Sequence, residues 1–137
     1  MEVFYSSKTD LWETPQHLFE ELNKEFCFDT DACALPENAK CPHYYTPEQD
    51  GLKQEWTGTI WCNPPYGRSI AKWVEKAATS RATVVMLLPA RTDTQWFHRY
   101  IYQKNEIRFI PGRLKFGKAK HNAPFPSMVC VFRGGGE

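Results

Sequence analysis

Leu18, Phe19, Leu22 and Phe26 fall on one side of a 3.6-residue period, and the residues between them are mostly polar. The spacing predicts an amphipathic helix of about three turns, opened by Thr14-Pro15, a capping hydroxyl ahead of a residue suited to a first turn. The run FCFD, residues 26 to 29, reads as a short buried strand. Asp31, Pro36 and Asn38 mark the loop after it, HYYT reads as a second short strand, and Asp50-Gly51 as a turn. Thr59-Ile60-Trp61-Cys62 is a buried strand that must end at Asn63, because the following Pro-Pro cannot pair in a sheet. Ile70, Trp73, Val74 and Ala77 then restore the helical spacing, and ATVVMLLP, residues 82 to 89, is a β-branched run typical of strands buried on both faces. Residues 92 to 102 read as a further helix, IRFI as a strand and SMVCVF as the last strand. Strands alternating with helices predict an α/β fold with a mostly parallel sheet. Ligands of such sheets sit beyond the carboxyl ends of the strands, the edge that would carry Asp29, Asp31, the Asn63 to Gly67 turn and Pro89 to Asp93.

The 137 residues suit a single domain, 1–137, with residues 1–13 as an N-terminal arm and 133–137 as a Gly-rich tail. A hydrophobic content of 42% with 24% charged residues excludes disordered and membrane classes. No 18-residue apolar run and no secretory pattern occur, so the expected location is cytoplasmic. A net charge of +1 provides no overall field toward a polyanion, so phosphate affinity needs a local cluster. Lys115, Lys118, Lys120 and His121, preceded by Arg108 and Arg113, form one. Such a run is more often a solvated face, but Gly112, Gly117 and Pro124 place it on a loop, where binding residues gather. Five cysteines without a secretory signal argue for reduced thiols. Cys33, Cys41 and His43 lack both a C-x2-C pair and a fourth ligand, so no metal is expected.

The segment Asn63-Pro64-Pro65-Tyr66 asks for a chemical reason beyond a rigid turn. An exocyclic amine on an aromatic base delocalises its lone pair into the ring and is a poor nucleophile. Two acceptors aimed at its N–H bonds, the Asn63 side-chain oxygen and the Pro64 carbonyl, would draw it toward tetrahedral geometry. The prolines donate no N–H and, through their fixed φ, hold the carbonyl direction. Tyr66 offers a flat ring for an extruded base.

NPPY is one form of the [DNS]-PP-[YFW] motif of amino-directed S-adenosylmethionine methyltransferases. The chain further resembles the small phage DNA N6-adenine methyltransferases of the Dam type. The similarity runs in order through WETPQHLFEELNKEFCFDTDACALPENAK, DGL, IWCNPPYG, LLPARTDTQWFH, IPGRLKFG and SMVCVF. It implies a Rossmann-like methyltransferase fold with helices on both faces of the sheet. The implied reaction transfers methyl from S-adenosylmethionine to N6 of adenine in double-stranded DNA, with the base flipped out and no metal. Asn63, Pro64, Pro65 and Tyr66 would form the catalytic turn. Trp12, Thr14, Pro15, Asp31, Asp50 and Asn63 would contact the donor, Asp31 near its methionine moiety and Asp50 at the adenosine. Arg91, Arg113, Lys115, Lys118 and Lys120 would meet DNA. Where most methyltransferases carry a Gly-rich turn, this chain has DTDACALPEN. Both aspartates are read equally well as cap or turn side chains, and Thr92 as the cap of the next helix. The motif by itself also serves cytosine N4, RNA adenine or protein glutamine, and the missing Gly-rich turn leaves a noncatalytic DNA-binding module open. No membrane partner and no particular oligomeric state are implied.

Overall fold

The computed structural model describes residues 12–117 and 121–134. The expected arm (beyond Trp12 and Glu13), Lys118, Lys120 and residues 135–137 of the tail lie outside the described residues. The first apolar stripe folds as helix α1 (Gln16–Phe26), which buries Phe19 and Leu22. Its start differs from expectation, because no side chain caps it: Pro15 is the flanking residue, and its carbonyl accepts from Phe19 N at 3.2 Å. Its end overturns the FCFD strand. Phe26 is the last helical residue and Cys27 turns left-handed at φ 56°, its N–H donating to the Asn23 carbonyl. The Asn23 side chain then accepts from Phe28 N, closing the helix end. The first strand, β1, is displaced to Thr30–Asp31.

The remaining elements are β2 (His43–Tyr44), a 3-10 turn (Gly51–Lys53), β3 (Thr59–Cys62), helix α2 (Ile70–Thr79), β4 (Thr83–Pro89), a π-helical turn (Phe97–Ile101), β5 (Glu106–Phe109) and β6 (Ser127–Arg133). The helix expected over residues 92 to 102 is thus shortened. Its cap is Thr94, not Thr92: the Thr94 hydroxyl accepts from Phe97 N at 3.3 Å, whereas the Thr92 carbonyl meets the His98 ring at 2.7 Å.

These strands form a six-stranded sheet in the order β2-β1-β3-β4-β6-β5. β2, β1, β3 and β4 pair in parallel, but β6 runs antiparallel to both β4 and β5, so the expected parallel character holds only on one side. Alternation along the strands sorts the core into two layers. Ile60, Cys62, Val84, Met86, Met128 and Cys130 pack with Ile70, Trp73, Val74 and Ala77 of α2 and with Phe97 and Ile101. Trp61, Val85, Leu87, Val129 and Val131 pack instead with Phe19 and Leu22 of α1. The chain leaves β1 to one side for β2 and returns on its other side for β3. That reversal opens a crevice at the carboxyl ends of β1 and β3, where ligands of open α/β sheets bind.

Candidate active site

Register decides which side chains share this crevice. Asp31 lies opposite Trp61 in the parallel pair, so Asp31, Trp61 and Asn63, two residues further on, belong to the face that α1 covers. There the Asn63 amide meets the entry to α1: its Nδ2 donates to the Trp12 carbonyl and, at 2.9 Å, to the Thr14 hydroxyl. A carbonyl can only accept, so the atom facing Trp12 is the amide nitrogen, and the orientation of the group is determined. The hydroxyl expected to cap α1 is therefore an anchor for Asn63. The remaining atom, Asn63 Oδ1, is buried and has no hydrogen-bond partner among the described residues. Such an atom is costly in a folded protein unless a ligand satisfies it.

Asp31 is 2% exposed. Its two carboxylate oxygens accept from Cys33 N at 3.2 Å and Lys40 N at 3.0 Å, and among the described residues no ion pair includes it. Burial pushes the carboxyl up to about 6, against the lowering influence of those two N–H groups and of the Lys40 charge. The loop from Cys33 to Lys40 is where the Gly-rich turn was missing. It closes on itself through Asn38, whose side chain accepts from Leu35 N at 2.9 Å while its own N–H donates to the Leu35 carbonyl. The sequence raises Cys33 only as a metal ligand and Lys40 not at all, because their part in the site comes from backbone N–H groups that no residue type advertises.

Two cavities flank the strand ends. One, of about 220 Å3, is lined by Trp12, Thr14, Asp31, Asn63 and Pro64. The other, of about 240 Å3, is lined by Tyr45, Asp50, Pro65 and Trp73, and Cys33 borders both. The expected donor residues are thus divided, with Asp50 apart from the rest and Pro15 in the lining of neither. Asp50 takes a left-handed φ of 57°, and its Oδ1 accepts from Leu52 N at 3.1 Å. The next residue must be glycine for want of space: a Cβ on Gly51 would lie 2.1 Å from the Ala32 carbonyl oxygen.

Tyr66 is not an open platform, for the residue is 1% exposed and its hydroxyl donates to the Leu87 carbonyl at 2.9 Å. Phe125 and Phe116 pack edge-on against its ring, with centroids at 5.7 and 6.5 Å, and both also contact Trp12. Of the expected DNA contacts, Arg91, Arg113 and Lys115 are exposed. The Arg91 guanidinium lies over the Phe125 ring at 5.9 Å. Arg108 does not join the basic cluster. It makes a bidentate pair with Glu25 at 2.7 and 2.8 Å and a bond to Glu106, hydrogen bonds that hold both carboxyls below their usual range.

The four cysteines other than the exposed Cys27 are poor nucleophiles. All five are free, and burial pushes the Cys33, Cys62 and Cys130 thiols up, with Cys41 raised to about 12. Among the described residues no group of three His, Cys, Asp or Glu side chains is placed to hold a metal, and no helix is long and apolar enough to cross a membrane. The site offers an oriented amide oxygen, a buried carboxyl outside any ion pair among the described residues and a buried aromatic ring, which suits positioning and polarising an N–H group.

Residues 4–133 match the family described as DNA N-6-adenine-methyltransferase (Dam). The DNA N-6-adenine-methyltransferase of Haemophilus phage HP1 is 36% identical over 138 residues, covering 92% of this chain and 80% of that protein. Its counterpart from Escherichia phage T1 is 34% identical over 111 residues, covering 77% of this chain and 46% of that protein. A putative methyltransferase of Escherichia coli, YfdM, is 37% identical over 65 residues, covering 42% of this chain and 71% of that protein. With nearly its whole length matched and NPPY standing at the sheet's switch point, the chain belongs to the DNA N-6-adenine-methyltransferase (Dam) family.

Proposed function

We propose that this protein methylates DNA at N6 of adenine, taking the methyl group from S-adenosylmethionine and acting on double-stranded DNA as a single Rossmann-like methyltransferase domain. The observation that carries this reading is the buried Asn63 Oδ1, without a hydrogen-bond partner among the described residues and held in direction by two hydrogen bonds from its own amide nitrogen. An adenine amine donating to that oxygen satisfies it and gains nucleophilic character. A preorganised acceptor in a water-poor site stabilises the charge that develops on the nitrogen. Pro64, in the same cavity, offers its carbonyl as the second acceptor, while Pro65 stiffens the turn and Tyr66 holds the flipped base.

The residues fit the donor. When bound, it supplies an electrophilic methyl on a sulfonium that departs without acid assistance. Asp31, buried and in no ion pair among the described residues, suits its positive charge, with Trp12 and Thr14 framing the same cavity. Asp50 keeps Oδ2 for the hydroxyls of an adenosine beside Tyr45 and Trp73. Each cavity alone falls below the roughly 300 Å3 of a small-ligand pocket. Their shared border at Cys33 supports one elongated ligand across both. Arg91, Arg113 and Lys115, with Lys118 and Lys120 of the same segment, would take the DNA backbone. The phage origin of two relatives supports a phage- or prophage-borne enzyme working in the host cytoplasm.

Incubation with labelled S-adenosylmethionine and DNA free of adenine methylation, followed by nucleoside analysis, tests the reading. Label in N6-methyladenine is expected. Label in N4-methylcytosine would replace the substrate assignment, unlabelled DNA despite bound donor would turn it to RNA adenine or protein glutamine, and unlabelled DNA without donor binding would leave a DNA-binding relative.

A further inference from the structure

Resting on that reading, we infer that Phe125 is a place-holder for the target adenine. Its ring occupies the position against Tyr66 that the base must take, and it has to leave for the base to enter. The burial of Tyr66 carries the argument, because a ring that is 1% exposed cannot receive a base unless a neighbour moves. Phe116 and Phe125 both pack against it, but Phe116 is 3% exposed and belongs to the layer under α1, whereas Phe125 is half-buried and borders both core layers. The outermost ring is the one that can leave without opening the core.

The backbone around Phe125 suits such a movement. It lies between Pro124 and Pro126, and the Pro126 carbonyl accepts from Ala90 N at 2.9 Å, which fixes the main chain to the end of β4. Prolines restrict φ on either side, so the change is confined to side-chain rotation. Leaving costs Phe125 its edge-on contacts with Trp12 and Tyr66, at 5.1 and 5.7 Å, which a stacked base replaces. The Arg91 guanidinium over its ring, at 5.9 Å, ties release to DNA arrival, because a phosphate that pairs with Arg91 draws the cation off the ring.

Titration of a single-stranded oligonucleotide containing 2-aminopurine, read by quenching of its fluorescence on stacking, tests this without requiring catalysis. Phe125→Ala should bind about three- to tenfold more tightly than wild type and quench more deeply, the range expected for removing one competing aromatic contact. Phe125→Trp, a larger place-holder, should bind more weakly. Both variants should keep a cooperative thermal unfolding transition and still bind donor, which separates a changed base site from a damaged fold. Unchanged or weaker oligonucleotide binding by a cooperatively folded Phe125→Ala would overturn the proposal. If Phe125→Ala does not fold, Phe125→Leu with Phe125→Trp decides by the same ordering. Failure of the methyltransferase reading itself appears separately, as absence of N6-methyladenine from the wild-type reaction.

Discussion

Replacing Asn63 separates two roles that the structure gives one side chain. Asn63→Ala removes the acceptor Oδ1, and the loss of one preorganised group of this kind costs about 3–4 kcal/mol of transition-state stabilisation. At about 1.4 kcal/mol per decade, methyl transfer should fall by roughly two to three orders of magnitude. The same change strips the Trp12 carbonyl and the Thr14 hydroxyl of their shared donor. At about 0.5–1.5 kcal/mol for each hydrogen bond, the fold should lose about 1–3 kcal/mol, less than the catalytic effect. Asn63→Asp tells the roles apart. It keeps an acceptor in place but turns a carboxylate oxygen toward the Trp12 carbonyl, so it should lose anchoring and remain well below wild-type activity. The assay is single-turnover label transfer at saturating donor, with calorimetric donor titration and thermal unfolding on the same samples. Donor affinity should change little in Asn63→Ala. Transfer at the wild-type rate by that variant would refute the role of Oδ1, and wild-type activity in Asn63→Asp would refute the importance of the anchored amide.

For Asp31, whose carboxyl burial raises to about 6, the sign is definite. Below that pH it is neutral and cannot pair with a cationic donor, so donor affinity should rise up to tenfold per unit from pH 5 toward 6 and level off above 7. Calorimetry should find this dependence absent in Asp31→Asn, and a flat wild-type profile would return Asp31 to a purely structural role. Without donor, a folded pKa above the unfolded value of 3.8 means that ionisation costs stability as pH rises from about 4 to about 6, by up to about 3 kcal/mol, and added donor should offset it in thermal unfolding. Gly51→Ala should lower the unfolding temperature and donor affinity together, because its Cβ would fall 2.1 Å from the Ala32 carbonyl oxygen and overpacking of this kind costs about 1–3 kcal/mol; an unchanged melting curve would show that the turn yields freely. Replacing Arg113 and Lys115 by alanine should weaken DNA binding about equally on all sequences and flatten the slope of log affinity against log salt by roughly one unit for each phosphate no longer neutralised. An unchanged slope would make these residues a solvated face, and an altered choice of adenine would make them readers of bases.

Much of the fold was legible because burial writes a period into the chain. Ile70, Trp73, Val74 and Ala77 are the residues α2 buries, and TIWC, TVVMLLP and SMVCVFR are strands where unbroken apolar runs stand. The NPPY turn also spoke locally, since two prolines end a strand wherever they occur. Strand direction did not. A run buried on both faces reads alike in either direction, and only the pairing of β6 between β4 and β5 sets it antiparallel. Nor did composition separate FCFD from a strand, because Phe26 and Phe28 suit either state and the outcome rests on Cys27 turning left-handed under the Asn23 cap. Thr14, Arg108 and Tyr66 show the same limit at the site. Each residue type suggested a role, namely cap, phosphate contact and open stacking face. Each met instead a partner distant in sequence: Asn63, Glu25 and the Phe116–Phe125 pair. The chain by itself determined which chemistry is present and on which turn it stands, because those depend on residue type and near neighbours. Only the tertiary structure decided which atom of Asn63 is free, because that follows from a carbonyl 51 positions away that can accept a hydrogen bond and cannot donate one.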